Sequence, residues 1–359
     1  MFSTCFTRRS RTQILCVFIL SVTGLLVYSL SKIKSGASTL YQQLGALHRE
    51  VISQHGDEFD SSHPKRLLFL FTSWTNKKDK SLVYQKTMDT WRTLMPVVQP
   101  GLFSNETLIV SKAKESGWRV HSASETTCGG IPTLRSMFLD AARMYADSYL
   151  LQGFSNADII YDKSLLETIG QIVRQVGHTI QTKPVLIVGK RLNMDALKCL
   201  SANASDLSDL LSAGKYPPEG SSDFFITNSK FPWKDVPALV VGRIGFGMWI
   251  VAFARARGVT LIDVTRTIRA VHMTTRAGNM ESSRNPNAMC NHQLLNRLRL
   301  APRSYVCGWT DCAEYYSLYT ATGVRIQHRK IPHSCHTCDS SVRRPSKKQP
   351  RRGDKKETT

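Results

Sequence analysis

The chain has 359 residues, with 48 Lys or Arg against 27 Asp or Glu and a formal net charge of +21. A charge of that size invites a nucleic-acid reading, but no recognition motif for one occurs, and the compartment signals below point elsewhere. Beyond residue 64 the length suffices for one large α/β domain or two small ones.

At the N-terminus Arg8, Arg9 and Arg11 precede a mainly apolar run from Ile14 to Leu30, which Lys32 and Lys34 close. A helix over residues 14–30 spans roughly 26 Å at about 1.5 Å per residue, enough for a bilayer core. The run is longer than the core of an ordinary signal peptide, although the small residues Ser35-Gly36-Ala37 leave a removed leader open. The expectation is a cytosolic tail over 1–13, a single-pass anchor over 14–30 and the remainder in the secretory lumen, in the Golgi or endoplasmic reticulum membrane. Two acceptor sequons, Asn105-Glu-Thr107 and Asn203-Ala-Ser205, agree with that side. Residues 31–64 read as a stem, where Leu40, Leu44, Leu47 and Val51 form a narrow apolar stripe through which two copies can pair.

The folded part begins at Lys65, where Leu67 to Phe71 read as a buried strand with Thr72-Ser73 at its end. Ser81 to Leu94 predict an amphipathic helix stopped by Pro96, and Leu102-Phe103 and Thr107 to Val110 predict short strands. Pro132 to Tyr145 predict a second helix, with Leu134, Phe138 and Ala142 on one face and Pro in the first turn. The apolar run at Tyr149-Leu-Leu151 predicts a strand leading to Gly153-Phe-Ser-Asn-Ala-Asp158. Lys163 to Val176 predict a helix and Pro184 to Gly189 a buried strand; 195–222 is less regular. Asp223 to Ile226, Val259 to Ile262 and Ile268 to His272 predict further strands, with a helix from about Met248 between the first two. Strands alternating with helices at this spacing predict an α/β fold, a mostly parallel central sheet with helices on both faces. Its expected span is 65–300, followed by a Cys-rich segment over 301–340 and a disordered basic tail over 341–359. That tail holds eight Lys or Arg against two acids, so most of the charge lies elsewhere, suited to acidic glycans or sugar nucleotides.

Thr72, Asp158, Asp223 and His272 all fall at ends or edges of apolar strands, where an α/β protein places ligands. Asp158 and His272 are residue types that hold a divalent ion such as Mn²⁺ or Mg²⁺. Two protein ligands leave coordination positions for a diphosphate and water. Asp263 reads instead as a cap for the Thr265 to Arg269 segment.

The strings Gly153 to Tyr161, Val188 to Asn193, Asp223 to Thr227 and Phe231-Pro-Trp233 resemble those of a family of glycosyltransferase-like proteins with a nucleotide-diphospho-sugar transferase (GT-A) fold. Val240 to Trp249, Ile262 to Thr265, Ala270 to His272 and Gly278-Asn279 continue the resemblance, which covers roughly 65–300. It implies a type II membrane glycosyltransferase of hexosyl or N-acetylhexosaminyl type. The donor would be a nucleotide-diphospho-sugar and the acceptor a glycan or glycoconjugate. Asn156-Ala157-Asp158 stands where the Asp-x-Asp motif of such enzymes stands, so the resemblance makes Asp158 and His272 metal ligands. It makes Thr72, Ser73, Pro132, Asn156 and Asp158 donor-binding, and Arg243 and Trp249 acceptor-binding.

The chain departs from the family pattern at Gly247, where the pattern has an Asp. If that Asp is the base of an inverting transfer, this chain has lost it or Asp223 or Asp235 replaces it; a retaining transfer needs no base there, and a non-catalytic glycan-binding relative keeping the fold is the other alternative. Past the anchor there are seven cysteines: Cys128, Cys199, Cys290, Cys307, Cys312, Cys335 and Cys338. An odd number leaves at least one free or pairing between chains. His333-Ser-Cys335-His336-Thr-Cys338, with Cys307 and Cys312, suits either disulfides or zinc, and an oxidising lumen favours disulfides.

Overall fold

The computed structural model describes residues 65–74, 80–201, 214–217, 220–275, 287–301 and 305–338. The predicted anchor, stem and basic tail, Asn203 and Gly278-Asn279 lie outside them. Among the described residues no helix is long and apolar enough to cross a membrane.

The first half of the fold runs β1 (Arg66–Thr72), α1 (Ser81–Arg92), β2 (Val98–Phe103), α2 (Thr107–Glu115), β3 (Arg119–His121), β4 (Thr126–Thr127), β5 (Ile131–Pro132) and α3 (Leu134–Tyr145). It continues with β6 (Tyr149–Ser155), β7 (Ile159–Tyr161), α4 (Ser164–Thr182), β8 (Val185–Lys190), β9 (Leu192–Asp195) and α5 (Ala196–Ser201). The second half runs β10 (Ser222–Thr227), α6 (Phe246–Ala256), β11 (Thr260–Asp263), β12 (Ala270–Thr274), α7 (Cys290–Arg297), β13 (Tyr315–Thr320) and β14 (Gly323–His328).

Nine strands form one sheet in the order β14-β13-β11-β8-β10-β6-β1-β2-β3. It is mostly parallel: only β10, against both neighbours, and the β13–β14 hairpin run antiparallel. Phe69 and Phe71 of β1 enter a core with Met137 and Phe138 of α3 and Trp249 and Phe253 of α6. Leu68 and Leu70, at the alternate positions, point to the opposite face and are equally buried. A strand buried on both faces needs the unbroken apolar run that the sequence displays. Two-face burial is therefore why β1 was legible.

A second sheet, β7-β12-β9, sits beside the first. Val271 and Met273 of β12 pack there with Leu192, Met194, Val83 of α1 and Cys199 of α5. This small sheet fixes the site, because His272 pairs in register with Ile159, the residue after Asp158.

Two stretches differ from the sequence expectation. Thr107 to Val110 begin α2 and form no strand. Only Ile109 and Ala113, one helical turn apart, are buried, while Leu108 is exposed, so a short apolar run that reads as a strand packs as a helix. The hairpin β13–β14 is weakly announced: Val324 and Ile326 alternate with Arg325 and Gln327 in β14, but β13 carries a serine at its most buried position. Its innermost side chain is Ser317, whose hydroxyl bonds Thr267 Oγ1 at 2.6 Å and the Asp263 carbonyl at 3.3 Å.

Candidate functional site

The carboxyl ends of the parallel strands β1, β6 and β8 meet at one edge with the amino end of antiparallel β10. A cleft of about 430 Å³ opens there. Ser73, Asn156, Asp158, Asp223, Arg243, His272 and the buried Pro132 all line it, so residues far apart in sequence converge as the sequence reading required.

Asp158 lies in the turn between β6 and β7. Two side chains of α1 hold that turn from outside: Thr87 donates to the Ala157 carbonyl at 2.9 Å, and the Trp91 indole to the Ile159 carbonyl at 2.9 Å. The Met273 amide donates to the Asp158 carbonyl at 2.9 Å, which ties β12 to the same turn. Asp158 Oδ2 is 3.3 Å from His272 Nε2 and 3.3 Å from Lys80 Nζ. Burial raises the pKa of this carboxyl, but His272 and then Lys80, through charge and hydrogen bonds, outweigh it and hold it well below the usual carboxylate range. His272 Nδ1 meets Thr274 Oγ1 at 3.2 Å, which fixes the ring.

Asp223 is buried at the start of β10, ion-paired with Arg191. Its carbonyl accepts from the Asn156 amide at 2.9 Å, which ties the start of β10 to the turn that carries Asp158. Arg191 in turn donates from Nε to Asn193 Oδ1 at 2.9 Å. Neither Lys80 nor Arg191 had been singled out from sequence. Lysines and arginines are common in this chain, and although Arg191 falls within the Val188 to Asn193 string, no pattern there gives it or Lys80 a role.

Asp158 and His272 present one carboxylate oxygen and one imidazole nitrogen on the same wall, a donor pair suited to a borderline divalent ion. Among the described residues no third His, Cys, Asp or Glu joins them. Further positions on such an ion are left to a ligand or water.

Three residues chosen from sequence stand apart from the cleft. Thr72 is fully buried, and its hydroxyl has no hydrogen-bond partner. Asp235 sits in the 3-10 turn Trp233–Asp235, 2.8 Å from Arg257 in an ion pair. Trp249 is buried in the core, where it donates to the Leu300 carbonyl at 2.9 Å and stacks on Phe253. It follows Met248, which lines the cleft, but its own side chain lies on the core face of α6.

Gly247 lines the cleft at the start of α6, and a Cβ there would stand 2.7 Å from the Ser222 carbonyl oxygen. The position has no room for an aspartate in this backbone. Asn105, the sequon within reach of description, is exposed just before α2.

Disulfides join Cys128 to Cys290 and Cys312 to Cys335, and Cys307 is disulfide-bonded as well. Cys335 is thereby committed to a covalent bond in place of zinc. Among the described residues Cys199 is the free thiol, fully buried, and burial pushes its pKa up to about 11.

No protein-family model matches the chain, and no curated protein matches it. Among solved structures, it is similar to glucosyl-3-phosphoglycerate synthase from Mycobacterium tuberculosis in complex with Mn²⁺, UDP and glucosyl-3-phosphoglycerate. That similarity has 12% identity and a TM-score of 0.40 over 81% of this chain and 92% of that one. A mannosyltransferase from Pyrobaculum calidifontis in complex with GDP-mannose and Mn²⁺ gives 10% identity and a TM-score of 0.38, covering 72% of this chain and 70% of that one. Mannosyl-3-phosphoglycerate synthase from Rubrobacter xylanophilus gives 12% and 0.35, over 82% and 94%. Likeness of this degree carries no argument about activity, which has to stand on the site itself.

Proposed function

We propose that the protein is a glycosyltransferase with a GT-A fold that moves a sugar from a nucleotide-diphosphate donor to a glycan or glycoconjugate. The observation that carries this reading is the Asp158–His272 pair, 3.3 Å apart at the carboxyl edge of a mostly parallel sheet, with basic side chains on the same cleft. Asp158 and His272 would hold a divalent ion, Mn²⁺ or Mg²⁺, which neutralises charge on a departing diphosphate. Ser73, Pro132 and Asn156 line the donor side in this reading, and Arg243 the acceptor side. Asp223, which lines the same cleft, is the base in this reading: it takes the proton of an acceptor hydroxyl as that oxygen bonds to the anomeric carbon and the bond to diphosphate breaks. That role requires Arg191 to release Asp223 when substrates bind.

The apolar run at 14–30 and the sequons support a type II protein of the Golgi or endoplasmic reticulum, with the cleft in the lumen. Disulfides among the described cysteines suit that oxidising compartment.

A second reading, a non-catalytic protein that keeps the fold and binds glycans, rests on Gly247 and on the ion pair that occupies Asp223. Thermal-shift series on the full chain separate the two, using UDP, GDP and CMP with and without Mn²⁺. A ligand that binds only the folded state adds about 2.7 kcal/mol at a hundredfold excess over Kd. A Mn²⁺-dependent shift with one nucleotide, absent in Asp158→Asn, supports transfer and names the donor class. No shift with any nucleotide sinks the transferase reading in favour of glycan binding.

A further inference from the structure

Lys80 and His272 both reach one oxygen, Asp158 Oδ2, each at 3.3 Å. All three side chains are nearly buried yet line the same cleft. They come from separate elements: Lys80 from the residue before α1, Asp158 from the turn after β6, His272 from β12. An ammonium on Asp158 Oδ2 occupies the carboxylate oxygen that faces His272 Nε2, the one an ion shared by Asp158 and His272 would use. Both need the same oxygen, and two cations in one place repel strongly in a site of low dielectric. We infer that Lys80 is a resident counter-ion, displaced from Asp158 by a divalent metal and then taken up by the diphosphate of the donor. This inference rests on the metal reading of the Asp158–His272 pair.

The chemistry of lysine suits such an exchange. Its charge is a compact point on a flexible four-carbon stem, and its three donors do not require the fixed fork of an arginine. Lys80 therefore can trade a carboxylate oxygen for a phosphate oxygen by rotating its stem, with the backbone at the start of α1 unmoved. Until the metal arrives, Lys80 pairs with the Asp158 carboxylate and holds it in place. The consequence is an ordered site. Metal alone competes with Lys80, while metal together with diphosphate gives the ammonium a new partner, so each of those two ligands strengthens the other's binding.

The test measures Mn²⁺ affinity of the full chain by the electron paramagnetic resonance of free Mn²⁺, with and without UDP or GDP. Lys80→Met removes the competing charge, so Mn²⁺ alone should bind roughly tenfold tighter than to the unaltered chain. Nucleoside diphosphate at saturating Mn²⁺ should bind roughly tenfold weaker, because its ammonium partner is gone. Lys80→Arg keeps the charge and should leave Mn²⁺ affinity near the original value. Should Lys80→Met fail to fold, Lys80→Gln tests the same charge with a polar side chain. Thermal melts supply a second readout: metal-free Lys80→Met should melt lower than the unaltered chain, and saturating Mn²⁺ should erase that difference.

Mn²⁺ affinity that is unchanged or weaker in Lys80→Met overturns the counter-ion role. The Asp158→Asn variant separates the two levels of failure. If Asp158→Asn loses Mn²⁺ binding while Lys80→Met leaves it unchanged, the metal site stands and only the role of Lys80 falls. If Asp158→Asn binds Mn²⁺ as the unaltered chain does, or if none of the chains binds it, the metal reading falls and the inference with it.

Discussion

Asp158 and Asp263 are the same residue type next to apolar strands of one molecule, and both are ion-paired, yet their surroundings differ. Asp263 Oδ1 accepts from the Thr265 amide at 2.9 Å and its hydroxyl at 2.6 Å, and Oδ2 meets Arg329 at 3.0 Å. Both oxygens are spent on the protein itself, and the carboxylate is buried where β11 meets the β13–β14 hairpin. Asp158 instead has a lysine and a histidine crowded on one oxygen, at the wall of an open cleft. A carboxylate fully engaged by its own chain closes a turn; one that lines a cleft with its partners gathered on a single oxygen is arranged to exchange partners. Ion pairing alone does not separate structure from function, and the distribution of partners over the two oxygens does.

The sharpest way to break the comparison is at Asp158. Replacement by Asn should lower transfer at least about a thousandfold, since several kcal/mol of charge stabilisation pass through this group. The same change should cost only about 1 kcal/mol of stability, because the amide oxygen still accepts from Lys80 and the cleft admits water. A progress curve with the matched donor and a urea melt check the two halves. Asp263→Ala should do the reverse. It leaves Arg329 and the Thr265 amide without their acceptor, at a cost of about 3 kcal/mol read by urea denaturation, with nucleotide affinity of the folded fraction unchanged. If Asp263→Ala weakened nucleotide binding and Asp158→Asn unfolded the chain, the contrast would be wrong.

Two further changes sharpen the edges of the cleft. Gly247→Ala puts a methyl against the Ser222 carbonyl, so about 2 kcal/mol of stability should be lost as α6 shifts from β10. An unchanged melting temperature would mean that this contact relaxes freely. Asp235→Ala removes a partly exposed pair with Arg257 outside the cleft, and should cost less than about 1 kcal/mol while sparing activity. A large loss of transfer there would restore Asp235 as a base.

Much of this fold was legible because apolar periodicity is local. The runs at Leu67 to Phe71 and Pro184 to Gly189, buried on both faces, became β1 and β8, and the stripe of Leu134 and Phe138 became α3. The turn at Asn156 to Asp158, the cap at Asp263 and the strand carrying His272 could be read in the same way, from polar residues abutting apolar ones. Where the local signal was weak, the reading failed: Thr107 to Val110 is too short to tell helix from strand, and the hairpin from Tyr315 buries a serine at its centre.

The sequence by itself determined an α/β chain, much of its strand and helix order, an odd number of cysteines beyond the apolar run at 14–30, and Asp158, Asp223 and His272 as candidate chemistry. Only tertiary structure decided that Cys199 is the free thiol among the described residues, that Trp249 and Asp235 turn away from the cleft, and that Lys80 and Arg191 stand on its carboxylates. The physical reason is separation along the chain. Lys80 meets Asp158 across 78 residues, through a parallel sheet whose pairings no local window contains. Charge on a side chain can be read from its letter, but the partner that charge finds is set by strand order.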